Sequence, residues 1–315
     1  MRVLITGGAG FLGSALANHL ARNGHRVWVL DDLSAGDPRS LDERVSFTRG
    51  DVRDIPKLWT LLRGMDCVYH LAAKVSVPES ILYPVEYNSV NVGGTVSLMT
   101  AARDAAIKRV VFASSGTAYG EQEVQPIKET VLPNPQNPYA ISKIAAEYYV
   151  SGLGALCEIE TVILRIFNAY GPGQAAPPSH APVIPQFVRQ ALQGGSVVIF
   201  GNGEQTRDFV YVDDVVRALA TASTAPAQGL IINIGSGREV SVNSLVKRME
   251  EILGHSVSTL FSTTQGGGVS RMRADIGLAE EVLGFKPQVT IEEGLKRMVE
   301  HYRFLLNKGG GVVTT

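Results

Sequence analysis

MRVLITGGAGFLGSALANHLARNGHRVWVLD, residues 1–31, decides the fold. RVLIT at 2–6 is a short, continuously apolar run and reads as a strand buried on both faces. GGAGFLG at 7–13 supplies Gly7, Gly10 and Gly13, and the segment from Phe11 to Arg22 carries apolar residues at helical spacing. RVWVL at 26–30 is a second buried run and leads into Asp31. Strand, glycine turn, helix and strand form a βαβ unit with parallel strands. The spacing is GxxGxxG, one position away from the usual dinucleotide fingerprint, but it serves the same physics. Bare backbone can approach a pyrophosphate, and the helix N-terminus turns partial positive charge toward it. Asp31, 18 residues past Gly13, can accept hydrogen bonds from both adenosine ribose hydroxyls and would repel a 2′-phosphate. NAD is therefore expected rather than NADP. The adjacent Asp32 can share or take this role.

Outward from this unit the same pattern repeats. CVYHL (67–71), RVVFA (109–113), TVILR (161–165) and LIINI (230–234) read as further buried strands, with helical periodicity from Asn91 to Ala106 and from Tyr139 to Leu153. Alternating strands and helices predict an α/β protein, a doubly wound parallel (Rossmann) sheet covered on both faces. After about Asn168 the alternation weakens, and Pro/Gly-rich connections appear at 171–182, 201–205 and 265–268. The expected organisation is a cofactor domain over 1–168, rejoined by a segment near 206–240, interleaved with a smaller C-terminal substrate domain over most of 169–307. A poorly ordered tail is expected at 308–315.

Bulk properties narrow the function classes. With 315 residues, 45% hydrophobic and 19% charged, the chain can bury a large core, and a formal net charge of −1 gives no broad field for nucleic acid or acidic membranes. Any anionic ligand must be held locally. Cys67 and Cys157 lack the spacing of a zinc site or disulfide framework, so no metal is expected. The chain opens directly on a strand, without a signal-peptide pattern, and has no apolar run of membrane-spanning length. A cytoplasmic protein is expected.

Tyr139 and Lys143 are one helical turn apart and can meet the same ligand. An ammonium near the phenol, joined by a positive nicotinamide, would draw its pKa down and make it a general base. Ser115 follows the strand RVVFA at the sheet's carboxyl edge, where it can hydrogen-bond a reacting oxygen. Ser114 and Thr117 compete for that role.

GGAGFLG, Asp51-Val52, HLAA (70–73), SSGTAYG (114–120), YAISK (139–143), RIFNAYGP (165–172) and RDFVYVDD (207–214) occur in order along the chain. Together they resemble the extended short-chain dehydrogenase/reductases of the NAD-dependent sugar epimerase/dehydratase family, over about residues 1–305. The resemblance implies an NAD-dependent enzyme in which Ser115, Tyr139 and Lys143 are catalytic, Lys143 also holding the cofactor ribose. It implies that NAD meets Gly7, Gly10, Phe11, Leu12, Asp31, Asp32, Leu71, Ala72 and Ala73. Asp51 and Val52 would flank the adenine, with Asn91 near it. On the substrate side it implies Ser115 and Thr117 at the sugar, Asn168 and Arg207 at the diphosphate of a nucleotide sugar, and Val183 and Phe200 near its base.

Dehydratases and decarboxylases of this family carry acidic residues where this chain has Gly116 and Thr117. The resemblance therefore implies 4-epimerisation of a UDP-hexose, of the UDP-glucose/UDP-galactose type, through a transient 4-keto sugar and NADH. The alternatives are a UDP-glucuronate or UDP-N-acetylhexosamine epimerase, a dehydratase, a reductase, or a non-catalytic NAD-sensing protein. Gln265 stands where many relatives have a phosphate-binding arginine, so the expectation is either that Arg271 or Arg273 reaches the diphosphate instead or that the anionic ligand differs from the usual one. Met272 falls beside the expected sugar C2 substituent. A homodimer is implied through helices at 91–106 and 139–153, with Val96, Leu98, Met99, Ile144 and Tyr148 as compatible apolar residues.

Overall fold

A computed structural model describes all residues except 178–180, 264–267 and 308–315. The Gln265 and tail expectations lie outside the described residues. The strands are β1 (Arg2–Thr6), β2 (Arg26–Asp31), β3 (Ser46–Arg49), β4 (Cys67–His70), β5 (Arg109–Ser115), β6 (Glu160–Ile166), β7 (Asn168–Tyr170), β8 (Val197–Phe200), β9 (Thr206–Arg207), β10 (Phe209–Tyr211), β11 (Ile231–Ile234), β12 (Val240–Ser241) and β13 (Thr259–Ser262). The helices are α1 (Phe11–Arg22), α2 (Ile55–Leu62), α3 (Val77–Leu82), α4 (Pro84–Tyr87), α5 (Gly94–Asp104), α6 (Pro138–Leu156), α7 (Val183–Leu192), α8 (Val212–Ala222), α9 (Val242–Leu253), α10 (Gly277–Leu283) and α11 (Ile291–Asn307).

Among the described residues, seven strands form one parallel sheet in the order β3-β2-β1-β4-β5-β6-β11. Side-chain alternation along β1 sorts the two faces. Val3 and Ile5 enter a core with Leu16 and Leu20 of α1 and Val215 and Leu219 of α8. Leu4 enters the other, with Leu58 of α2, Leu98 and Met99 of α5, and Val150 of α6. This double burial explains why the strands read as unbroken apolar runs. Strand order reverses between β1's neighbours β2 and β4, and ligands of such sheets bind beyond the carboxyl ends at this point.

Smaller pairings extend the molecule: β7 with β10 and β8 with β13 in parallel, β9 with β12 antiparallel. Ahead of α5 the chain makes a π-helical turn over Asn88–Gly93. The predicted helix at 139–153 is α6, started by Pro138 and capped by Asn137, whose side chain accepts the Ala140 N–H at 2.9 Å.

Gly7 and Gly13 are required by space. Gly7 has φ +69°, and a Cβ there would lie 2.6 Å from the Ala72 nitrogen; a Cβ on Gly13 would lie 2.1 Å from the Gly7 carbonyl oxygen. These contacts are backbone and cannot swing away. Gly13→Ala is expected to destabilise the fold by at least ~1–3 kcal/mol and to weaken NAD retention. Denaturant unfolding and equilibrium dialysis with NAD check both effects.

Candidate active site

The cofactor edge is built by the turn after β1. Helix α1 starts at Gly10 with no side-chain cap and no acidic residue in its first turn, leaving its N–H donors for an anion. Asp31 is 8% exposed. Its Oδ2 accepts the Ala9 N–H at 2.9 Å and its Oδ1 accepts the Leu33 N–H at 2.8 Å, so it pins the glycine turn. Each carboxylate oxygen retains a lone pair for a ribose hydroxyl. Burial pushes this carboxyl above the usual range, opposed by those backbone donors. Asp32 is exposed and accepts only the Ser34 N–H locally, at 2.8 Å. Asp31 is therefore the better placed of the two. Phe11 and Leu12 open α1, and Leu71, Ala72 and Ala73 follow β4, with Ala72 against Gly7. Asp51 is paired with Arg53 at 2.5 Å, and buried Val52 packs where Gly94 has no side chain. These features fit NAD: a cradle that a Cβ would fill, open helix donors and a buried carboxylate.

His70 of HLAA links this edge to the catalytic helix. Its Nδ1 is 2.8 Å from Thr6 Oγ1 and its Nε2 is 2.8 Å from Thr95 Oγ1, and all three residues are fully buried. Thr95 donates its hydroxyl to the Asn91 carbonyl at 2.6 Å, so its oxygen accepts from Nε2–H. The imidazole is then the Nε2–H tautomer, accepting Thr6's hydroxyl at Nδ1. Asn91, expected near the cofactor, engages its amide within the chain. It accepts the Lys74 N–H at 2.8 Å and donates to the Lys74 carbonyl and to Ser142 Oγ, each at 2.9 Å. It positions the 71–74 segment against α6.

Burial, with the Lys143 charge second, pushes the His70 imidazole down to about 3. The unfolded chain binds a proton at this residue below about pH 6.5, whereas the folded chain does not until about 3. Stability therefore falls with pH across this window, by up to ~1.4 kcal/mol per unit from this group. Imidazole nitrogen NMR is expected to show His70 neutral, protonated at Nε2, from pH 7 to 5.

The catalytic set meets at the end of β5. Ser114 and Ser115 point to opposite sides of the strand. Ser114 donates to Glu147, which removes it from competition, while Ser115 lies beside the Tyr139 phenol. Thr117 donates to Ser115 Oγ from its hydroxyl at 2.9 Å and from its N–H at 3.2 Å. The chain's own groups do not lower the Tyr139 phenol. Burial raises it, opposed by the neighbouring Ser115 hydroxyl. The ammonium of Lys143 is itself desolvated, pushed down to about 8 with Glu147 opposing, and sits 4.3 Å from the Phe112 ring centroid.

Sequence reading passed over Glu147 and Arg165. Glu147 lies one turn beyond Lys143 on α6 and holds Arg165 of β6 bidentately, at 3.0 Å from Nε and 2.6 Å from Nη2, both side chains 4% exposed. Arg165 stacks on Tyr119 at 4.6 Å, and Tyr119 donates to Asn233 of β11 at 2.8 Å. The visible signal was a lone cation inside the apolar run TVILR.

On the substrate side, the Asn168 N–H donates to the Asp208 carbonyl at 3.0 Å, which sets Asn168 beside Arg207. Arg207 is desolvated, which lowers its pKa, with Glu121 opposing. Asp208 is fully buried and accepts from Ser236, Gly237 and Ala274, tying this corner together. Val183 starts α7, and Phe200 ends β8 with 47% of its surface exposed. Arg271, expected at the diphosphate, is exposed and held bidentately by Glu239 at 3.0 and 2.7 Å. Arg273 is more buried, and its Nε has no hydrogen-bond partner. Met272 is 3% exposed and packs with Tyr119, Ile127 and Phe167.

The chain belongs to the NAD dependent epimerase/dehydratase family, which matches residues 3–235. It is 37% identical to the UDP-glucose 4-epimerase of Mycolicibacterium smegmatis over 310 residues, 96% of this chain and 99% of that protein. A crystal structure of UDP-glucose 4-epimerase from Thermotoga maritima with UDP-glucose superposes with a TM-score of 0.94 at 37% identity, covering 97% of this chain and 100% of that one. The Thermus thermophilus UDP-glucose 4-epimerase complex with NAD gives 0.89 at 34%, covering 96% and 99%.

Proposed function

We propose that this chain is an NAD-dependent UDP-hexose 4-epimerase of the UDP-glucose/UDP-galactose type. The observation that carries the reading is the hydroxyl hydrogen bond from Thr117 to Ser115 beside the Tyr139 phenol, with Gly116 between the first two. Such groups suit proton movement at one sugar oxygen, whereas elimination also needs acid and base at carbon. The names of the relatives support the same substrate class.

Bound NAD supplies a hydride acceptor that also returns the hydride. Tyr139 takes the proton of the C4 hydroxyl and later gives it back, while Ser115 hydrogen-bonds that oxygen. Lys143 holds the cofactor ribose. Asn168 and Arg207 anchor the diphosphate, the guanidinium through its planar fork, so that the 4-keto hexose can turn and present its other face. In this reading residues 1–168 and about 206–240 carry the cofactor, and most of 169–307 the nucleotide sugar.

The chain is further proposed to form a homodimer. Leu98 and Met99 are core residues and leave the expected interface. The exposed apolar face is instead Ile141, Tyr148 and Tyr149 of α6, with Ile81 and Leu82 of α3 and Val85 of α4 beside it. Analytical ultracentrifugation distinguishes dimer from monomer. Among the described residues no helix is long and apolar enough to cross a membrane.

Incubation with UDP-glucose, UDP-glucuronate and UDP-N-acetylglucosamine in heavy water tests the function. The expected product is UDP-galactose without solvent deuterium. A dehydrated or decarboxylated product, or deuterium in the sugar ring, contradicts the reading.

A further inference from the structure

The hydroxyl of Ser115 receives two hydrogen bonds from one residue. Thr117 donates to Ser115 Oγ from its side chain at 2.9 Å and from its backbone at 3.2 Å. A serine oxygen has two lone pairs and one proton. With both lone pairs engaged, the remaining capacity of Ser115 is donation, and the Tyr139 phenol lies beside it. Donation runs from Thr117 to Ser115 and from Ser115 into the site. Tyr139's own proton, or its lone pair after ionisation, is left for the ligand.

The turn that does this is held firmly. Residues Gly116–Tyr119 form one 3-10 turn with Ser115 as its N-cap. A Cβ on Gly116 would lie 3.0 Å from the Phe167 ring, so the turn presses against that ring and folds Thr117 back over Ser115. Ser114, next along the strand, is committed to Glu147 and cannot substitute.

We propose that Thr117 is a positioning residue for the epimerisation, its hydroxyl committing Ser115 to donate toward the reacting oxygen. A donor that is itself receiving a hydrogen bond is polarised and donates more strongly. At the reacting oxygen this chain of neutral hydroxyls stabilises developing negative charge without adding a formal charge of its own. The inference rests on the 4-epimerase reading and assigns Thr117 to Ser115 rather than to the sugar.

The test is a double-mutant cycle with Thr117→Val, an isosteric change, and Ser115→Ala, with Thr117→Ser as the conservative variant. Thr117→Val is expected to lower kcat about 10-fold with KM for the UDP-hexose unchanged, and Thr117→Ser to restore most of the rate. In the Ser115→Ala background, Thr117→Val is expected to cost nothing further, because its only route of action has gone. An unchanged kcat in Thr117→Val, a loss confined to KM, or full additivity with Ser115→Ala overturns the inference and leaves the epimerase reading standing. A wild-type chain that interconverts no UDP-hexose overturns both.

Discussion

Tyr139→Phe is expected to lower kcat for sugar-nucleotide epimerisation by roughly 10²–10⁴-fold, the usual range for a positioned acid–base group. One oxygen is lost and little else changes. The ring is 8% exposed and stays packed, and α6 keeps its Asn137 cap and its Ser142 contact with Asn91. NAD binding and the unfolding midpoint should therefore match wild type, which separates a chemical defect from a folding one. The phenol is well suited to be switched by its ligands. Among the chain's own groups, burial raises its pKa and Ser115 opposes the rise, so ionisation awaits the positive charge that oxidised nicotinamide adds. Initial rates and equilibrium dialysis with NAD on the same preparation check both halves. A variant with wild-type kcat would remove Tyr139 from the chemistry.

Glu147→Ala is expected to cost about 3–5 kcal/mol of stability, because it strands the Arg165 guanidinium in the core. Both side chains of this pair are 4% exposed, and the Ser114 hydroxyl shares the same carboxylate. Removing both charges should cost less than removing one, so Glu147→Ala with Arg165→Met is expected to recover part of the loss. The exposed pair of Arg39 and Asp37 is the control, and Arg39→Ala should leave the urea midpoint unchanged. Glu147 also favours the charged form of Lys143, so the single variant should lose turnover even where it remains folded. A midpoint equal to wild type would show that the pair is not structural.

The first strands and their glycine turn were legible because burial on both faces leaves a sequence signature that needs no partner to interpret it. RVLIT, RVWVL and TVILR each became a central strand. Ser46–Arg49 did not read as a strand, since an edge strand with partly exposed side chains has no such run. The return of Ile231–Ile234 beside β6 was legible for the same reason as the centre: Ile232 and Ile234 are fully buried. At the site, residue types and spacing singled out Tyr139, Lys143 and Asp31 as candidates. They did not decide between Ser114 and Ser115, because strand alternation assigns faces only once the neighbouring helix is in place. Nor did they show that Arg271 is engaged by Glu239, 32 residues away, or that Asn91 clasps the Lys74 backbone. Those are outcomes of tertiary packing between distant segments.

The central claim is that hydride leaves and re-enters the same sugar carbon within one closed site. UDP-glucose carrying deuterium at C4, incubated in ordinary water with the NAD-loaded protein, tests it most directly. The account predicts UDP-galactose that retains the deuterium at C4. Loss of the label to solvent, or a product in which C4 is not inverted, would contradict it.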